Sequence, residues 1–263
     1  MPGRLALAAR YAAGTAALRH PDVLLCSFPR SGSTLVRFVL AHYAALRADA
    51  GDDVALGFDA MKAAVPELGA SNLWTARAAG GPDALPRFVK THRPFSRVLA
   101  RPRAVLIARQ PLDAVASYHA YWTARIAGPD VALSAFLRDV RRGLPWWIRH
   151  TRSWEARAVH TVRYEALRAD PAAEVGRMLA AVGVAADAGV LAAAAEASAA
   201  DRVRRAARAG NVTGLDAMPA GFALVRDRPP GAGAGEFSDA DRAWAAARLA
   251  EAGLDGWAAG ATA

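Results

Sequence analysis

What this chain can fold into is limited most by one run: Val23-Leu24-Leu25-Cys26-Ser27-Phe28, then Pro29-Arg30-Ser31-Gly32-Ser33-Thr34, then Leu35-Val36-Arg37-Phe38-Val39-Leu40. The first six residues are mostly apolar and suit a strand buried on both faces, whereas Leu35, Val36, Val39 and Leu40 recur at helical spacing. The turn between them is small and polar. Gly32 lets the backbone bend without a Cβ clash, Ser33 and Thr34 offer hydroxyls, and free amides at a helix start face outward, which suits an anion. Arg30 adds a fixed positive charge. The structural alternative is an ordinary strand-to-helix connection capped by serine or threonine. The Walker pattern needs two glycines and a following Lys-Ser/Thr; this loop has a single Gly and no Lys, so a magnesium nucleoside triphosphate is not the favoured ligand.

A chain of 263 residues is long enough for one α/β domain with a large core, and 54% hydrophobic with 22% charged residues is a globular composition, although alanine inflates the first figure. Lys+Arg 33 against Asp+Glu 24 leaves +9, which suits an anionic ligand such as a nucleic acid or a bis-phosphorylated nucleotide. Nearly all of that charge is arginine; the only lysines are Lys62 and Lys90. Cys26, the single cysteine, rules out an intramolecular disulfide, offers no cysteine cluster for a metal and fits a reducing cytoplasm. Residues 5–18 are Ala-rich but broken by Arg10 and Gly14, too short for a membrane span or for the apolar run of a signal peptide.

Residues 1–21 predict an N-terminal helix ending before Pro21. Residues 48–87 are punctuated by Gly51, Gly57, Pro66, Gly69, Gly80, Pro82 and Pro86, a composition of loops and short helices over the sheet end where α/β enzymes meet their substrates. Phe58 and Trp74 suit an acceptor pocket there or, more simply, the core. Phe88-Val89-Lys90-Thr91-His92-Arg93-Pro94 reads as a short strand with a polar carboxyl end. A lysine kept where arginine is the rule points to a tight site that a planar guanidinium does not fit. His92, taken alone, equally suits a histidine bonded to a backbone carbonyl. Residues 104–109 predict a second central strand, and Pro111 with Asp113 a helix start. Arg109 and Ser117 suit a phosphate clamp, or equally a surface ion pair and a helix-face serine.

Three of these segments, in order, resemble the cytosolic-type sulfotransferases. Pro29, Arg30, Ser31, Gly32, Ser33 and Thr34 match that family's Pro-Lys/Arg-Ser-Gly-x-Thr loop, which holds the 5′-phosphosulfate of 3′-phosphoadenylyl sulfate, PAPS. Lys90, Thr91, His92, Arg93 and Pro94 match the catalytic Lys-Thr-His-x-Pro, and Arg109, Pro111, Asp113 and Ser117 match the 3′-phosphate signature Arg-x-Pro-x-Asp-x-x-x-Ser. The resemblance runs from about residue 23 to residue 244. It implies a single α/β domain over 1–263, a central parallel β-sheet flanked by helices with a P-loop-like phosphosulfate-binding loop. By the same resemblance, His92 takes the proton of an acceptor hydroxyl, Lys90 contacts the sulfuryl group and bridging oxygen, and Arg30 offsets charge on the leaving phosphate. It further suggests Tyr164 and Ser198 near the adenine, and Arg226 with Gly231 in a segment closing over the 3′-phosphate. There Arg228 stands for a glycine and a tryptophan is missing; Leu35 likewise replaces a tryptophan that often stacks on adenine. Trp147, His150 and Trp154 resemble a Gly-x-Trp-x-x-His-x-x-x-Trp helix, with Pro145 for the glycine, and read first as packing residues.

Gly and Pro density over 222–237 predicts a mobile covering loop, and the resemblance implies that what it covers is the nucleotide. His160-Thr161-Val162-Arg163-Tyr164-Glu165 reads as a third strand running into a turn, Asp170-Pro171 opens a helix, 185–209 is helical by propensity, and Ser238 with Asp241 caps a last helix. The expected activity is transfer of the PAPS sulfuryl group, without a metal, to a hydroxyl of a small-molecule or carbohydrate acceptor, with His92 as base. No nucleic-acid partner is expected. Two alternatives stand beside it: a phosphotransferase using ATP and magnesium, and a non-catalytic module binding nucleotides or polyanions with strong salt dependence.

Overall fold

A computed structural model describes residues 4–48, 56–70, 85–124, 131–209 and 229–257. In chain order the helices are α1 (Arg4–Ala16), α2 (Ser33–Arg47), α3 (Phe58–Ala64), α4 (Pro111–Trp122), α5 (Leu133–Arg138), α6 (Leu144–Glu155), α7 (Tyr164–Ala169), α8 (Pro171–Ala181), α9 (Ala188–Ala197), α10 (Ala200–Ala209) and α11 (Asp239–Glu251). The strands are β1 (Val23–Ser27), β2 (Phe88–Thr91), β3 (Arg103–Ala108) and β4 (His160–Arg163). They form one parallel sheet in the order β2-β1-β3-β4, with Cys26 opposite Thr91 and Leu106, and Ala108 opposite Arg163. Helices cover both faces, so the fold is a single α/β domain. No described helix is long and apolar enough to cross a membrane.

Burial on both faces explains the near-continuous apolar strands, because successive side chains feed opposite cores. Leu24, Cys26, Val89, Ala104 and Leu106 pack with Val115, Trp147 and Trp154 of α4 and α6. Val23, Leu25, Val105, Ile107 and Val162 pack with Val36, Val39 and Leu40 of α2 and with Val175, Met178 and Leu179 of α8. Fully burying each such side chain contributes about 1.5–3 kcal/mol. Phe58 is buried with Phe38 and Met61 in a satellite core, while Trp74 lies outside the described residues.

Four local outcomes differ from the sequence reading. Helix α1 stops at Ala16 because Asp22 accepts the Arg19 amide and Arg87 bonds both Asp22 and the Ala17 carbonyl, which closes a turn ahead of β1. The segment 185–209 divides into α9 and α10, since the Ser198 hydroxyl donates to the Ala194 carbonyl and caps α9 from within. Strand β4 runs straight into α7 at Tyr164 with no intervening turn. Within the expected loop at 222–237, residues 234–236 form a 3-10 turn.

From β1 the chain crosses to β2 on one side and then to β3 on the other. The loops after β1 and β3 therefore diverge, and the crevice they leave at the carboxyl ends of the strands is where open α/β sheets bind ligands.

Candidate active site

Strand β1 ends at Ser27, and the chain then turns sharply. Arg30 takes φ 67 and Gly32 φ 104, both left-handed, a conformation that costs a non-glycine residue energy unless its surroundings hold it. Gly32 is also needed for space, because a Cβ there would lie 2.7 Å from the Tyr164 ring. Helix α2 begins at Ser33, and the amides of Gly32, Ser33 and Thr34 have no acceptor among the described residues. Donors of this kind at a helix start suit an anion.

Arg109 enters from the end of β3. Its guanidinium lies 4.3 Å over the Tyr164 ring, 3.5 Å from the Arg30 carbonyl and 3.5 Å from the Asp113 carboxylate. Its buried Nε has no acceptor among the described residues. An unmatched N–H on a buried cation, next to unmatched backbone amides, is the donor set of a phosphate site, so these residues fit a phosphorylated nucleotide. One helical turn on, the Ser117 hydroxyl accepts from Arg30 Nε at 3.3 Å. Arg109, Ser117 and Arg30 are thus brought together, and Arg109 is buried rather than on the surface.

His92 follows β2. Its Nδ1 lies 2.6 Å from the Ser27 carbonyl, which can only accept, so the ring proton sits on Nδ1 and Nε2 keeps its lone pair. Helix α6 braces the next residues: Trp154 Nε1 donates to the Arg93 carbonyl at 2.8 Å, and Ser153 Oγ accepts the Phe95 amide at 2.9 Å. Removal from bulk water, then the Lys90 charge, lowers the His92 imidazole to about 3, against Glu67 and the Ser27 carbonyl. At neutral pH it is therefore a neutral acceptor.

Lys90 is buried and pairs with Glu67 at 3.0 Å. Burial pulls its ammonium below the ordinary lysine value, with Glu67 opposing. Glu67 was not singled out from the sequence. Its segment is stitched to β2 by Lys90 N–H to the Pro66 carbonyl and Leu68 N–H to the Lys90 carbonyl, each 2.8 Å. The one sequence signal for it was indirect, since a lysine buried on an apolar strand requires a carboxylate nearby.

Arg30, Gly32, Ser33, Thr34, Lys90, His92, Arg109, Ser117, Tyr164 and Ser198 all line one cavity of about 620 Å³, together with Glu67, Asp113, Tyr118, Tyr121 and Arg168. Ser31 sits behind it, wholly buried, its hydroxyl unpartnered among the described residues. The Ser198 hydroxyl is committed, donating to the Ala194 carbonyl at 2.7 Å and lying 2.9 Å from His42 Nδ1. Arg226 lies outside the described residues. The described part of the 222–237 segment is anchored by Asp113, whose carboxylate accepts the amides of Gly231 and Gly233 at 2.7 Å and of Ala234 at 3.2 Å. That role of Asp113 was invisible in a sequence that placed it at a helix start. Trp147, His150 and Trp154 are buried core residues, in keeping with their reading as packing groups.

Comparison with known proteins agrees with this geometry. The family model described as a sulfotransferase domain matches residues 20–213, more than half of the chain. A retinol dehydratase in complex with androsterone and inactive cofactor PAP superposes with a TM-score of 0.67 at 18% identity, over 93% of this chain and 85% of that one. A retinol dehydratase complex with retinol and PAP gives 0.67 at 17% identity, over 92% and 85%. A mouse sulfotransferase complexed with PAP gives 0.63 at 18% identity, over 92% and 88%. At these identities the structures share the fold with this chain. No curated protein sequence matches it significantly. The chain belongs to the sulfotransferase-domain family, the PAPS-dependent family that its three motifs resemble.

Proposed function

We propose that this protein transfers the sulfuryl group of PAPS to a hydroxyl of a small-molecule or carbohydrate acceptor, with His92 as general base. The observation that carries this reading is the His92 tautomer: Nδ1–H is held by the Ser27 carbonyl, leaving Nε2 as acceptor in the cavity that also holds the phosphate-loop donors and Lys90. PAPS, when bound, supplies an activated sulfuryl group on a phosphate leaving group. The fold neighbours complexed with PAP, two of them also with androsterone or retinol, support a cavity shared by such a nucleotide and a small organic acceptor.

The protein's own part is positioning and charge, as in phosphoryl transfer. Free amides of Gly32, Ser33 and Thr34, with Arg30, offer fixed positive potential for the 5′ end, and Arg109 with Ser117 for the 3′-phosphate. The Lys90 ammonium has three donors and Glu67 takes one, so two remain for a sulfuryl or bridging oxygen. His92 Nε2 receives the acceptor proton, a role worth about 10² to 10⁴ in rate.

A mass-spectrometric assay with PAPS and a panel of phenols, alcohols and sugars, with and without magnesium, tests the activity. Sulfated product is expected; phosphorylated product from ATP and magnesium, or salt-sensitive binding without product, would replace this reading by one of its alternatives. His92→Ala is expected to lower turnover by at least about 10² while calorimetry with the desulfated nucleotide, PAP, stays near wild type. Near-full turnover would remove His92 as the base.

A further inference from the structure

Lys90 and His92 do not stand alone in the cavity wall. Behind them Arg37 projects from α2, buried, with Nε and Nη2 both donating to the Val65 carbonyl, and so fixes the backbone two residues before Glu67. The segment after it pairs with β2 as a short parallel bridge between Glu67 and Lys90. The Glu67 carboxylate thus sits at a fixed register beside the Lys90 ammonium, 3.0 Å away, while its side chain keeps 40% exposure toward the cavity. We infer that Glu67 is a positioning residue for the proposed transfer: it holds Lys90 protonated and aimed, and it is the countercharge for His92 when that ring takes up a proton.

The charges that act on this group are few. Arg37 approaches from α2, Glu67 from the 65–70 segment, Lys90 and His92 from β2 and its end, and His150 from α6, with Arg30 on the same cavity wall. Among the described residues Glu67 is the one negative group that acts on Lys90 and His92; Asp113, which lines the same cavity, is committed to Arg109 and to the amides of Gly231, Gly233 and Ala234. Without Glu67, Arg37 and Lys90 are two cations in one desolvated pocket, and the lysine is the one that can release its proton. Burial opposes ionisation of Glu67 itself, but Lys90, with His92 and Arg37, outweighs it and keeps the carboxyl below the usual range. The carboxylate is therefore charged at any working pH. A carboxylate that faces a neutral histidine is worth little in the resting state and much more once imidazolium forms, which is when transfer needs it.

The inference rests on the proposed function for its catalytic consequence, but its first test does not. Lys62 and Lys90 are the only lysines, so trace acylation across the range from about pH 6 to about pH 11, read by mass spectrometry, titrates Lys90 with Lys62 as internal reference. Glu67→Gln keeps the shape and removes the charge. In the unliganded protein it is expected to lower the Lys90 midpoint by about 1 pH unit or more and leave Lys62 unmoved. The alkaline limb of kcat/KM should move down with it. Glu67→Asp, which keeps the charge one methylene farther away, should fall between wild type and Glu67→Gln on both readouts. It also carries the test alone if Glu67→Gln does not fold. A Lys90 midpoint unchanged in either folded variant overturns the inference, even if activity falls, because loss of activity without a shift is what a merely structural glutamate would give. Absence of sulfuryl transfer in the wild type would defeat the proposed reaction, whereas the lysine titration would still report on Glu67.

Discussion

Arg109 shows how much one side chain is asked to do. It stacks on Tyr164, reaches the Arg30 carbonyl, pairs with Asp113 and still keeps a buried Nε–H unused among the described residues. Only a planar fork with several donors meets these demands at once; an ammonium offers neither the flat face nor the spread. Arg109→Lys is therefore expected to weaken PAP at least about tenfold by calorimetry. Equal affinity would mean that Arg109 does not meet the nucleotide. At this scale the sequence was readable where a side chain sits at the end of a recognisable strand, as Arg30, Lys90, His92 and Arg109 do. Glu67 was not readable, because its place is set by backbone pairing between a Pro-interrupted segment and the outer edge of β2, which no local periodicity announces.

Among the elements, the N-terminus of α4 and the 231–234 turn form one unit. Three amides of that turn converge on the Asp113 carboxylate, and Gly233 comes so close that a Cβ would lie 2.7 Å from Asp113 Oδ1. Since Asp113 also faces Arg109, the turn and the proposed 3′-phosphate site share one anchor. Asp113→Asn puts a donor where a carboxylate received donors, so one amide at least is left unmatched. Hydrogen exchange at Gly231, Gly233 and Ala234 is expected to quicken by about tenfold or more, while the amides of β1 and β3 keep their protection. Unchanged exchange at the three amides would show that the anchor is not what orders the turn. Strands, caps and the order of elements were legible because each has a local signal, such as Asp170 accepting the Ala173 amide or Ser238 accepting that of Asp241. The α1 end and the α9–α10 break had no such signal. Each is decided by a partner reached only in the fold: Arg87 for the first, and for the second the burial of Ser198 against His42.

The whole molecule carries a proton-linked weakness at its centre. His150 of α6 is fully buried, with no hydrogen-bond partner on either ring nitrogen among the described residues. Burial first, and His92 second, lower its imidazole from 6.5 to about 3. The folded state thus keeps His150 neutral while the unfolded chain protonates it below its ordinary value. Stability from this group is fully present above about pH 6.5 and is lost progressively as pH falls toward about 3, at up to about 1.4 kcal/mol per unit. His92 adds to the slope in the same direction, less strongly because its ring reaches the cavity. Melting temperature is therefore expected to decline between pH 7 and pH 5, and His150→Phe, which keeps an aromatic ring among Trp147 and Trp154, should make that decline shallower. The comparison is between slopes, so a uniform loss from imperfect packing of the new ring does not imitate the effect. If the variant and the wild type lose stability in parallel over that range, His150 is not the group that links folding of the sheet-and-helix core to acid.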